Sequence, residues 1–206
     1  MLFPERGVHV SASFFLLAAL ALIVSPVEIA ASILLAALLH ECGHLLALKA
    51  FRVPVEGLRL TALGAELYAR GARRLSYARE MPVTLAGCGA NLACGFLTAL
   101  AARRLSWEGG FLFAGAHFLL AAFNLLPIPP LDGSRAFTLL VSFFFGPAAG
   151  DAAAAVAGLF FALALVGAGT YIAAETGGGV LFLLASLALS FGLFRQVRLA
   201  KRERKV

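Results

Sequence analysis

Residues 29–48 read IAASILLAALLHECGHLLAL, and their reading decides the fold. About 20 helical residues at about 1.5 Å each cross the hydrocarbon core of a bilayer, so this apolar run is a membrane span. Yet His40, Glu41 and His44 lie inside it. Ionisable groups at that depth are costly and by default mark a functional site. On a helix advancing about 100° per residue, His40 and His44 fall about 40° apart, near enough to share one metal ion. Glu41 is an i, i+3 neighbour of His44, so its carboxylate reaches a water on that metal. Cys42 points to roughly the opposite side, which argues against a thiolate ligand, and Gly43 leaves a bare patch of backbone beside the cluster. His-Glu-x-x-His on a helix is a zinc-hydrolase signature. The competing reading is a chance match or a histidine pair within a core, and the placement inside a span favours the metal.

The rest of the chain agrees with a membrane setting. Of its 206 residues, 61% are hydrophobic and 14% charged, whereas a soluble domain is about half apolar and about a quarter charged. Repeated long apolar runs make the protein an all-α polytopic membrane protein, and one membrane-embedded domain over residues 1–206 uses the whole length. The formal net charge of +6 does not indicate nucleic acid. The basic residues fall between spans and in a C-terminal stretch, as topology and anionic lipid headgroups demand. Cys42, Cys88 and Cys94 all lie in apolar segments and form no spaced framework, so they read as small buried hydrophobes.

Six spans are expected, at about 8–24, 29–48, 81–102, 111–126, 152–174 and 180–194, with a basic tail over 195–206. The first is read as a retained helix rather than a cleaved leader, with His9 interfacial near its start. Within the polar connection 50–80, residues 58–61 and 65–68 alternate about Gly64, which predicts a small interfacial β-hairpin. An irregular loop is the other reading there, and 71–79 reads as an interfacial basic segment. In the third span Gly87, Asn91 and Gly95 recur every four residues. Such a small or polar stripe allows close helix packing, with Asn91 as an interhelical hydrogen-bonder. Residues 134–145 are apolar but short, and Gly146-Pro147 stops them.

With the N-terminus in the cytoplasm, 15 Lys/Arg fall inside and only Arg103 and Arg104 outside, so both termini are expected to be cytoplasmic. His40 and His44 then sit about 13 and 8 Å of helical rise inside Lys49, near the cytoplasmic face. The end of the fourth span, with Asp132, arrives at the same face.

Catalytic zinc takes three protein ligands and leaves a position for water. Asp132 is the carboxylate in a broken, proline-rich backbone on the correct side, since Pro127, Pro129 and Pro130 forbid a continuing helix. Irregular backbone at membrane depth is tolerated where it lines a cavity or is buried by protein. The alternative is an ordinary turn residue before Gly133. His117 reads first as a packing histidine, and otherwise as a partner supporting the ligands.

Together, His40-Glu41-Cys42-Gly43-His44 and the downstream run NLLPIPPLDG at 124–133 resemble the site-2 proteases, which are intramembrane zinc metalloproteases. Within them, the six-span group of the stage IV sporulation protein FB is the nearest match. The resemblance covers nearly the whole chain: both motifs, their order, the 80–91 stretch and the span count. It implies one zinc ion held by His40, His44 and Asp132, Glu41 as general base, and Asn124 holding the substrate or its oxyanion. It also implies a single-span membrane-protein substrate, capture of that substrate as an added strand on residues 55–68, and a place in the bacterial plasma membrane. The third span carries Ala86-Gly87-Cys88-Gly89 where the family often has proline after Ala-Gly. Neither the nucleotide-sensing domain nor the PDZ domain of other members is seen, so the resemblance implies no regulation of either kind.

Two other classes compete with the enzyme. A catalytically silent relative would bind transmembrane clients without cutting them, although every expected chemical residue is present. A metal transporter would use the same histidines, but such proteins usually show repeated halves, and this chain shows none.

Overall fold

A computed structural model describes residues 7–61, 64–69 and 75–176, together with Leu187 and Ser190. The chain forms two compact units, Met1–Phe123 and Asn124–Val206. The expected span at 180–194 and the basic tail at 195–206 lie outside the described residues, Leu187 and Ser190 apart.

The first unit begins with strand β1 (Gly7–Val10) and helix α1 (Ala12–Val24). This corrects the expected first span at 8–24. Its first residues pair in parallel with β2 (Val55–Thr61), with Val8 opposite Leu58 and His9 opposite Arg59. A β-branched Val-His-Val run satisfies its backbone on a sheet edge as readily as in a helix. Only 13 residues remain for α1, about 20 Å of rise against a core of about 30 Å. The expected hairpin is present: β2 pairs antiparallel with β3 (Gly64–Ala69), Leu60 opposite Ala65, in a three-stranded sheet ordered β1-β2-β3.

Helix α2 (Val27–Ala50) follows the Ser25-Pro26 break and ends where Arg52 turns left-handed, at φ 57°. There Val53 N–H donates to the Leu48 carbonyl at 2.9 Å. Helix α3 (Tyr77–Leu105) starts earlier and ends later than the apolar run predicts, and closes on left-handed Ser106. Its first turn absorbs part of the basic segment expected at 71–79, of which 71–74 lie outside the described residues. Helix α4 (Glu108–Asn124) completes the unit's helices.

The two longest helices of this unit pack through small side chains. Helix α2 buries Ala36, His40, Gly43, His44 and Leu48 along one face, and α3 buries Thr84, Gly87, Cys88, Asn91 and Gly95. A Cβ at Gly43 would press on the Ala86 carbonyl and the Ala90 methyl. The backbones therefore approach closely, as small-residue stripes in membrane helices allow. Cys88 is buried as expected, while Cys42 is exposed, a correction that follows from its place on the far side of α2.

In the second unit, residues 125–131 are non-helical, as the three prolines require. Helix α5 (Asp132–Phe145) then begins on Asp132 itself, so Asp132-Gly133 is a helix start and not a turn. Gly146, at φ +86°, stops α5, and Pro147 opens α6 (Pro147–Thr176), a first-turn position where its missing N–H costs nothing. Gly150 seats α6 against Ser142 and the Thr138 carbonyl of α5. A Cβ at Gly133 would overlap the carbonyls of Leu125 and Leu126. Backbone cannot yield as a flexible side chain does. Gly133→Ala is therefore expected to destabilise this unit by about 1–3 kcal/mol, seen as a lower melting temperature in detergent. An unchanged melting temperature would contradict this packing.

Among the described residues, α2, α3 and α6 are long and apolar enough to cross a membrane. Their outer faces carry large apolar side chains in the open: Leu46 is 67% exposed, Leu97 65% and Val156 72%. Water would not tolerate such surfaces at this density, and lipid does. The chain is a membrane protein.

Candidate metal centre

His40 and His44 lie one turn apart on the buried face of α2, 5% and 8% exposed. Their rings meet edge-to-face with centroids 4.9 Å apart, and their Nε2 atoms converge to 3.2 Å. The surface they face is Gly87 of α3. Any Cβ there would overlap both Nε2 atoms, so the hydrogen side chain of glycine is what leaves room for the pair.

The other nitrogen of each ring is held from α3. His44 Nδ1 donates to the Val83 carbonyl at 2.8 Å. Asn91 Nδ2 donates to His40 Nδ1 at 3.3 Å, and Asn91 Oδ1 accepts from His117 Nδ1 at 3.0 Å. Asn91 and His117 are fully buried. Asn91 thus bonds across helices as the four-residue stripe predicts, with Gly87 facing α2 and Gly95 facing His117 and Phe118 of α4. His117 is more than a packing ring: it is the far end of a hydrogen-bonded chain that starts at His44. Sequence reasoning undervalued it. Its position seven residues before Asn124 was visible, but only the α3–α4 packing brings it to Asn91.

Glu41 is half-buried beside His40, and Cys42 faces away. In the second unit, Asn124 closes α4 and Asp132 opens α5, flanking the proline-rich break, both half-buried.

The solved structure of the Site-2 Protease from Methanocaldococcus jannaschii is similar to this chain with a TM-score of 0.68. The match covers 95% of this chain and 93% of that one, at 19% sequence identity. The fold is that of a site-2 protease. No family model and no curated protein matches the chain. At this identity the likeness fixes architecture alone, so the chemistry of this site-2 protease fold has to be argued from its own residues.

Those residues fit a zinc ion. Two imidazoles converge through one nitrogen each, both rings are oriented by a hydrogen bond on the other nitrogen, and His44 donates from Nδ1 to a carbonyl as metal-bound histidines do. The wall opposite them is a glycine. A carboxylate sits one residue along the same helix.

Proposed function

We propose that this chain is an intramembrane zinc metalloendopeptidase that hydrolyses a peptide bond in or near the transmembrane segment of a single-span membrane protein. The observation that carries the reading is the convergence of the His40 and His44 Nε2 atoms beneath Gly87. In this reading, which takes Asp132 from the sequence motif at 124–133, His40 and His44 each offer a ring nitrogen and Asp132 a carboxylate oxygen to one ion. Zinc held there would supply the Lewis acidity that polarises a carbonyl and activates water.

The protein does the rest. Glu41 accepts a proton from the attacking water on a carboxylate oxygen and returns it to the leaving nitrogen. Asn124 holds the substrate backbone or its developing oxyanion by its side-chain amide. A transmembrane helix has its carbonyls hydrogen-bonded, so a stretch of substrate must unwind before cleavage. The β2–β3 ribbon receives that extended stretch as an added strand. The charge asymmetry sets both termini in the cytoplasm and the histidines near that face.

Purified protein is expected to carry one zinc ion per chain by elemental analysis. It should cleave a single-span substrate in bicelles, stop when a chelator strips the metal, and resume when zinc is restored. Stoichiometric zinc with no product would turn the reading to a silent client-binder, and absence of zinc would end it.

A further inference from the structure

Among the described residues His40, His44 and His117 are buried, and the proposed chemistry uses only the first two. His117 is left over. Its side chain is fully buried, and a buried polar ring costs free energy wherever its nitrogens go unbonded. Nδ1 lies 3.0 Å from Asn91 Oδ1, whereas Nε2 has no hydrogen-bond partner. Packing alone would be better served by an apolar side chain, which has no nitrogen to leave unbonded.

The bond that His117 does make ends on the amide that touches His40. Asn91 is fully buried as well, and its Nδ2 lies 3.3 Å from His40 Nδ1. One amide thus has an imidazole at each end. It carries a donor at one end and an acceptor at the other, and an imidazole nitrogen serves in either role. His117 therefore holds Asn91 whichever end of the amide faces His40. Without that hold the last torsion of an asparagine is broad, and the reach to His40 would lapse. The ring that does the holding is itself fixed. Phe113 stands edge-to-face against it with centroids 4.5 Å apart. Gly95, one turn along α3 from Asn91, lets α4 come so close that a Cβ there would lie 3.1 Å from the His117 Cβ.

Building on the metal reading above, we propose that His117 is a positioning residue: through Nδ1 it fixes the Asn91 amide, and Asn91 in turn steadies the His40 ring that takes the ion. Acting on the metal only through Asn91, His117 loses its effect once Asn91 is gone. Acting only through Nδ1, it is replaceable by a side chain with a polar atom at that position.

Zinc affinity of the full chain in detergent micelles, read by competition with a chromogenic chelator, tests both. Asn91→Leu should weaken zinc binding about 10–100-fold and His117→Leu about tenfold, as for other groups that orient metal-bound histidines. The double variant should match Asn91→Leu alone to within about twofold. Losses that multiply instead, or a His117→Leu affinity equal to wild type, would overturn the proposal. His117→Asn places an amide where Nδ1 stood. It should keep zinc affinity within about threefold of wild type, even though the lost ring volume lowers the melting temperature. His117→Gln places its amide where Nε2 stood and should bind zinc about tenfold more weakly. Equal affinities for these two variants would overturn the role of Nδ1. Wild-type protein that takes up no zinc would remove the metal reading itself, whereas multiplying losses in a zinc-binding protein would leave that reading intact.

Discussion

Glu41→Gln should retain zinc and the wild-type melting temperature yet cleave a single-span substrate about 10²–10⁴-fold more slowly, the range that a positioned general base contributes. The substitution keeps the shape of the side chain but removes its negative charge and replaces one acceptor oxygen with an NH₂ group, so it can no longer take a proton. Glu41 is not a proposed ligand and lies half-buried on α2 next to His40, so neither metal content nor packing should move. Initial rates in bicelles at equal zinc occupancy provide the measurement. A variant with full activity would remove Glu41 from the chemistry and the proteolytic mechanism with it.

Gly87→Ala should strip the metal centre from the opposite side. The added methyl would overlap Nε2 of both His40 and His44. Either the rings swing away, losing the Val83 and Asn91 hydrogen bonds, or α3 recedes from α2. Overpacking of this kind costs about 1–3 kcal/mol, and about 1.4 kcal/mol is tenfold in affinity. Zinc affinity should therefore fall about tenfold or more, with cleavage falling alongside. Gly89→Ala is the matched control: it lies two residues away on the same helix, where a new Cβ meets nothing within 4 Å. Zinc binding by Gly87→Ala equal to that control would mean that the rings do not point where the structure puts them.

Much of this was legible from local pattern. The His40–His44 spacing places both rings on one face of any helix, whatever surrounds it, because the relation follows from the helical turn alone. The proline-rich break at 125–131 and the stop at Gly146-Pro147 are equally local, since proline removes an N–H wherever it occurs. The small stripe of Gly87, Asn91 and Gly95 announced a close helix contact without naming the partner. Span boundaries were less secure. Polar first turns such as Tyr77–Glu80 join a helix through backbone hydrogen bonds that hydropathy does not register. A short β-branched run such as Gly7–Val10 satisfies helix and strand patterns alike until a partner strand is found.

By itself, then, the sequence determined a membrane-embedded helical protein with an imidazole pair and an adjacent carboxylate on one helix. These follow from composition and from neighbours within a turn. Tertiary structure alone decided that β1 joins the hairpin in parallel and that Gly87 roofs the two Nε2 atoms. It also decided that His117 reaches His40 through Asn91. Residues 40, 91 and 117 sit on three different helices, and contacts between distant segments depend on how helices pack, which no spacing rule encodes.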